Sequence, residues 1–302
     1  MEFTSNDNSN RSSNSSFVAS LRADGKPSTQ AIIAANIAHL IEQLEQGHSE
    51  VLAQYLTTMA RFHKYSFGNV LLIASQKPDA TNVAGIYTWN QLGRRVRRGE
   101  KGIMIFAPMI SKKRRQTSDT EPDSDSRSTE RPLVGFRPVY VWDVTQTDGD
   151  ALPTLHEVSG DVGKNLGRLV QFVIGRGITF GYSEEIAPAR GVSFGGKIQL
   201  LPDMSEAEQF TTLVHEVAHE LLHKAERRSL ITKRVRETEA EAIAFVVSKA
   251  IGLETGTAAS DYIQLYHGDA KLLQESLEIV QQTAAVILGA LSPEEAPRQA
   301  AA

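Results

Sequence analysis

The stretch LVHEVAHELLH, Leu213 to His223, decides how the rest of the chain is read. It contains H-E-x-x-H as His215, Glu216 and His219. On a helix, residues four apart lie one above the other on the same face, so two imidazoles can grip one ion. Zinc takes neutral imidazole nitrogens at about 2.0–2.1 Å, and a catalytic zinc keeps one position open for water. Glu216, one residue round from His215, then stands beside that water as candidate general base. Leu213, Val214, Val217, Ala218, Leu221 and Leu222 predict a buried helix, where two histidines and a glutamate need a reason to be. The five-residue pattern alone is only moderately specific, because it also arises on solvated helices.

A third ligand is needed. The extended pattern H-E-x-x-H-x-x-G-x-x-H requires Gly at 222 and His at 225, where this chain has Leu222 and Ala225. His223 stands eight residues from His215, roughly 12 Å along a helix, too far to share an ion, and reads as a packing histidine or one behind the ligands. The remaining source is a following helix, and the chain supplies ETEAEAIAFVV from Glu237. There Ala240, Ala244, Val247 and Ile251 form an apolar stripe; Glu237 and Glu241 fall on that face, and Glu239 is expected to point away. The assignment is Glu237 as third ligand, with Glu241 holding a ligand histidine by its other nitrogen. The reverse, with Glu241 as ligand, is the alternative.

The 302 residues are enough for two domains of ordinary size, and 41% hydrophobic with 23% charged residues is a globular composition. No run of about 18 apolar residues is present, so no membrane span is expected, and no apolar signal region opens the chain. Zero cysteines exclude disulfides, thiolate ligands and a cysteine nucleophile, and fit a cytoplasmic location. The net charge of −4 argues by itself against a nucleic-acid binder, but the average misleads. From Arg61 to Arg115 twelve Lys and Arg face only Asp79 and Glu100, a net +10 that leaves about −14 for the remainder.

Within that basic region Arg94, Arg95, Arg97, Arg98 and Lys101 crowd one turn, with Tyr65, Phe67, Tyr87 and Trp89 nearby in sequence. Cations that track phosphates beside rings that stack bases make a single-strand groove, each stacked base contributing about 1–3 kcal/mol. The alternative makes the aromatics core and the cations a solvated face.

Residues 1–27 form a Ser/Asn-rich arm expected to be disordered. Helical spacing follows from Ser28, with a second helix from Ser49 to His63 and a third stopped before Pro78. Strands are predicted over Ile103 to Ala107 and Gly135 to Val144, joined by a loop over 111–132 with no apolar residue. Asp148 to Pro153 reads as a linker. Beyond it come a helix (Gly163 to Gly175), a strand (Ile178 to Tyr182) and a hairpin or edge strand (Gly191 to Leu201). The site helix (Met204 to Lys224), the glutamate helix (Val235 to Ile251), two more helices from Ala259 and a tail from 291 complete the chain. The fold class is therefore α+β, in two domains: 28–148 with helices and strands, and 149–290 around the H-E-x-x-H helix.

With both halves in view, the chain resembles the ArdC family of conjugative-plasmid antirestriction proteins. The resemblance rests on YSFGNVLLIASQKPDATNVAGIYTWNQLGRRVRRGEKGIMIFAP and FRPVYVWDVTQT in the first half, and on LVHEVAHELLH, ETEAEAIAFVV and DYIQLYHGDAKLL in the second. It covers about Ser28 to Leu288, apart from the 111–132 loop. It implies a domain that binds single-stranded DNA, and double-stranded DNA more weakly, followed by a zincin-like metallopeptidase domain. It also implies protection of incoming plasmid DNA from host restriction during conjugation. Position by position, His215, Glu216 and His219 match the family's metal motif and Glu237 its downstream carboxylate, with Zn2+ or another divalent ion as cofactor.

Two functional readings remain open at this point. In one, the basic domain coats single-stranded DNA while the metal site cleaves a protein substrate in the recipient cell, with Tyr262, Tyr266 or His267 as oxyanion donor. In the other, the metal is structural and the protein is a DNA-binding shield without turnover. Glu216 favours the first, because a purely structural ion has no use for it. A plain metallopeptidase with no nucleic-acid partner fits the +10 cluster poorly.

Overall fold

A computed structural model describes residues 29–46, 49–110, 133–150, 162–253 and 270–292, and shows a mixed α+β protein. The 1–27 arm, the 111–132 loop, the tail from 293 and the oxyanion candidates Tyr262, Tyr266 and His267 lie outside the described residues. No described helix is long and apolar enough to cross a membrane.

The described chain opens with helices α1 (Thr29–Glu45), α2 (Ser49–Arg61) and α3 (Phe67–Gln76). Strand β1 (Val83–Ala84), short helix α4 (Ile86–Gln91), β2 (Arg94–Val96), β3 (Ile103–Ile110), β4 (Leu133–Asp143) and β5 (Thr147–Gly149) follow. Then come α5 (Asn165–Gly175), β6 (Thr179–Tyr182), β7 (Gly191–Ser193) and β8 (Lys197–Leu200). Four helices end it: α6 (Glu206–Leu222), α7 (Ala225–Leu230), α8 (Lys233–Ala250) and α9 (Ala270–Leu291).

The chain clusters into two compact units that do not follow the linear split at 148. One unit contains Asn82–Asp150; the other joins Ile33–Thr81 to Ala151–Ala302. The physical reason lies in α2 and α3, whose Leu52, Leu56, Met59, Leu72 and Ile73 are fully buried and need a large apolar partner. They find it on α8 and α9. Gln281 of α9 fastens the α2–α3 connection, its Nε2 donating to the carbonyls of His63 (3.2 Å) and Tyr65 (2.8 Å).

In the Asn82–Asp150 unit, β4 lies between β1 and β3, antiparallel to both, while β2 pairs antiparallel with β5. Residues alternate across each strand, so Ile103, Ile105 and Val141 go inward while Val134, Phe136 and Tyr140 stay exposed on the other face. Asp143 ends β4 fully buried, accepting from the Asn82 and Thr145 amides at 3.0 and 2.9 Å.

In the larger unit the sheet order is β6-β8-β7, with β6 parallel and β7 antiparallel to β8, so β7 is an edge as the sequence leads one to expect. Helix α6 begins with a capping box: Ser205 accepts from the Glu208 amide while the Glu208 carboxylate accepts from the Ser205 amide. Its Phe210, Leu213, Val214, Val217 and Ala218 are completely buried, so the helix is locked in rotation. That lock aims the site.

Candidate metal centre

Helix α6 carries two polar ridges. His215, His219 and His223, at i, i+4 and i+8, stack towards α8, with successive ring centroids 4.8 and 4.9 Å apart. Glu216 and Glu220 lie one residue round and face the β7–β8 hairpin. The first ridge meets Glu237 in the second turn of α8. His215 Nε2 and His219 Nε2 are 3.1 Å apart, and Glu237 Oε2 lies 3.5 Å from the first and 3.4 Å from the second. These are the three residues whose ligand atoms cluster closely enough to hold one metal ion, among the described residues.

The spacing can be tested against an ion. Tetrahedral bonds of about 2.0–2.1 Å put ligand atoms roughly 3.3 Å apart, and the three observed separations bracket that value. Two imidazoles and a carboxylate are a donor set that suits zinc and its divalent neighbours. The residues therefore fit a divalent cation. Glu241 Oε2 lies 3.5 Å from His215 Nδ1, the ring nitrogen away from Glu237.

Electrostatics sharpen the cluster. Burial lowers the His215 ring, but the Glu237 and Glu241 carboxylates outweigh burial and lift it to about 9. Burial and the neighbouring His215 push His219 down to about 4. The His215 hydrogen bond draws Glu237 down to about 2 despite partial burial. Burial raises Glu216, which is only 7% exposed.

Two carboxylates that spacing does not mark complete the surroundings. Glu220 is buried and accepts from the backbone amides of Gly195 and Gly196, each at 2.8 Å, pinning the β7–β8 turn. Both glycines have positive φ, 76° and 99°, which brings their amides into line with one carboxylate. The strand approaches so closely that a Cβ on Gly191 would lie 2.6 Å from Thr212 Cγ2 and 2.9 Å from Glu216 Cγ. Only glycine fits between β7 and the general-base candidate.

Glu239 is the larger surprise. Expected to point away, it is fully buried. The reason is that α8 has no single stripe: every residue from 238 to 248 except Glu241 is buried, because α2, α6 and α9 all pack on it. Glu239 receives a bidentate Arg227 (2.7 Å twice), His223 Nε2 (3.1 Å) and the Ser276 hydroxyl. His223, 4% exposed, in turn places its Nδ1 2.7 Å from His219 Nδ1.

The predicted nucleic-acid residues divide. Trp89 is 2% exposed and donates its indole N–H to the Trp142 carbonyl at 2.9 Å, so it is core. Phe67 is buried edge-on against Tyr55 in the larger unit, and Tyr65 is half-buried against Phe62 there. Trp89 and Phe67 therefore present no open ring face. Arg94 is spent on structure: it donates to Thr147 Oγ1 (2.8 Å) and to the carbonyls of Thr147 (3.0 Å), Gly149 (3.2 Å) and Asp150. Arg97 is held by Glu100 at 2.7 Å, the Thr145 carbonyl at 2.6 Å and Asp148 at 3.4 Å. Arg95, Arg98 and Lys101 are exposed. Among the described residues of this unit, the exposed rings are Tyr87 (74%), Phe136 (53%) and Tyr140 (44%). Alternation along β4 was the signal that could have found the last two, since 134, 136, 138 and 140 share one face.

The chain is similar to several known proteins. Residues 29–142 match the N-terminal domain of anti-restriction factor ArdC, a segment that runs from α1 to the end of β4. An uncharacterized protein of Bacillus anthracis is 23% identical over 284 residues, covering 80% of this chain and 48% of that protein, so the chain spans about half the length of this relative. Two crystal structures of the antirestriction ArdC protein from plasmid R388 are among the similar proteins. The metal-free one has a TM-score of 0.47 at 20% identity, covering 75% of this chain and 85% of that one. The Mn(II)-bound one has a TM-score of 0.46 at 18% identity, covering 80% and 99%. Residues 29–142 are thus similar to the N-terminal domain of anti-restriction factor ArdC.

Proposed function

We propose that this protein is an antirestriction factor combining a single-strand DNA face with a zincin-like metallopeptidase site. The observation that carries the reading is the convergence of His215, His219 and Glu237 beside a buried Glu216. His215 Nε2, His219 Nε2 and Glu237 Oε2 would hold the ion, zinc or another divalent metal. When bound, zinc supplies Lewis acidity and lowers the pKa of its water to about 7.

The remaining steps belong to the chain. An extended substrate peptide pairs with the open edge of β7 by strand addition, which brings its carbonyl towards Glu216. Glu216 accepts the water proton on its carboxylate and returns it to the departing amine nitrogen. Burial raises its pKa, which brings it closer to the working pH of a base. Glu220 holds the hairpin, and Gly191 leaves room for Glu216 to face the peptide.

The DNA face belongs to the Asn82–Asp150 unit. Phe136 and Tyr140 on the outer face of β4, with Tyr87, supply stacking rings; Arg95, Arg98 and Lys101 supply exposed cations. Stacking needs unpaired bases, so duplex DNA binds more weakly. This face replaces Tyr65, Phe67 and Trp89 as the base-contacting set.

The test is plasmid transfer into a restricting and a non-restricting recipient, comparing wild type with folded, metal-loaded Glu216→Ala. Loss of protection only in the restricting host supports proteolysis as the protective act. Undiminished protection by Glu216→Ala overturns the peptidase reading and leaves a DNA-binding shield with an architectural metal.

A further inference from the structure

Resting on the metal-site reading above, we infer that His223 and Glu239 are positioning residues that fix the tautomer of His219 and so present its Nε2 lone pair to the ion. The hydrogen-bond chain begins at Arg227. Its two guanidinium nitrogens each donate to a different oxygen of Glu239 at 2.7 Å, and the Ser276 hydroxyl donates to Oε1. A carboxylate so surrounded by donors is an acceptor only, and His223 Nε2, 3.1 Å from Oε2, must carry the hydrogen. A neutral His223 then has a bare Nδ1. The atom facing it at 2.7 Å is His219 Nδ1, which must donate. In neutral imidazole only one nitrogen bears hydrogen, so His219 Nε2 is left with a lone pair. That nitrogen is the one that converges with His215 Nε2 and Glu237 Oε2.

Each link in this chain comes from a different helix or its end: His219 from α6, His223 from its C-cap, Arg227 from α7, Glu239 from α8 and Ser276 from α9. The Glu239 and His223 side chains are 0% and 1% exposed. A buried charge is costly unless its partners are all in place, and here they are. A network that merely tied helices together would gain nothing from ending on a ligand histidine's non-ligating nitrogen. Partners of that kind fix ring orientation and raise ligand basicity. Glu241 serves His215 in the same way from the solvent side, but through a looser 3.5 Å contact.

The experiment uses the full chain with 15N-labelled histidines, read first without metal at neutral pH and then titrated with Zn2+ alone. The expected result is the His219 hydrogen on Nδ1 in wild type. In His223→Phe that preference is lost and the zinc Kd weakens about 10–100-fold. His223→Asn, whose amide oxygen can take the place of Nδ1 as acceptor, restores most of the affinity and the tautomer. A wild-type His219 with its hydrogen on Nε2 overturns the inference and needs no variant to fold. So does a folded His223→Phe with unchanged zinc Kd. His219→Ala separates the two claims: if it keeps wild-type zinc affinity, the metal-site reading falls and this inference with it. If it loses zinc while His223→Phe does not, only this inference falls.

Discussion

The H-E-x-x-H ridge and the arginine-rich turn are both dense in chemistry-bearing residues, yet the structure treats them differently. On α6 the useful geometry is local: positions four apart on one helix must meet, whatever surrounds them. His215 and His219 therefore land with their Nε2 atoms 3.1 Å apart. In the Asn82–Asp150 unit the useful geometry is tertiary. Whether an aromatic stacks a base or fills a core depends on which strand covers it, and a cation's availability depends on carbonyls about fifty residues away. Arg94 illustrates this, since its partners Thr147, Gly149 and Asp150 come from the far side of the 111–132 loop. Spacing is a reliable guide within one helix and a poor one across a sheet.

That contrast can be broken by substitution, and the largest effect is expected where sequence misleads most. Trp89→Ala should cost about 3–5 kcal/mol of stability, the range for deleting a fully buried large aromatic. Thermal unfolding of the full chain checks this; a loss of single-strand affinity with unchanged melting would return Trp89 to the binding set. Tyr140→Ala should behave oppositely. Its 44% exposure predicts near-wild-type melting and a loss of about 1–3 kcal/mol in single-strand affinity, read by fluorescence anisotropy. Equal affinity would remove the β4 face from the interface.

Smaller effects separate the cations. Arg98→Ala should lower the slope of log affinity against log salt by about 0.7, one phosphate contact on a single strand. Arg94→Ala should instead loosen the β2–β5 pairing and reduce melting temperature, leaving the slope of any folded fraction unchanged. The smallest effect concerns the start of α6. Ser205→Ala should destabilise by about 1 kcal/mol through loss of the N-cap. The paired Glu208 is held below its usual range, first by the Ser205 hydroxyl and then by its amide. With a depressed folded value, its contribution is present above the ordinary carboxylate range and fades as pH falls through the lowered one. The gap between wild type and Ser205→Ala should therefore narrow at acid pH but persist, because the Ser205 hydroxyl still accepts from the Glu208 backbone amide.

Much of the candidate metal centre's geometry was legible in the sequence, because a helix pair needs only two periodicities and one facing carboxylate. The Leu213 to His223 helix, the rejection of a third ligand at 225 and the choice of Glu237 all follow from spacing. Glu239 was misplaced because a helical wheel assumes one buried side, and α8 is buried almost all round. Glu220 was invisible because its partners are backbone amides of Gly195 and Gly196, which no side-chain pattern announces. The grouping of α2 and α3 with α8 and α9 was equally hidden, since chain order does not say which apolar stripes will share a core.

Glu237, not Glu241, is the residue proposed to complete the ion's ligand set with His215 and His219. The most direct measurement is zinc titration, with metal content by mass spectrometry, of wild type, Glu237→Ala and Glu241→Ala. The account predicts one zinc per chain in wild type, severe loss of affinity in Glu237→Ala and a modest loss in Glu241→Ala. Full zinc in Glu237→Ala with loss in Glu241→Ala would contradict it and move the third ligand one turn along α8.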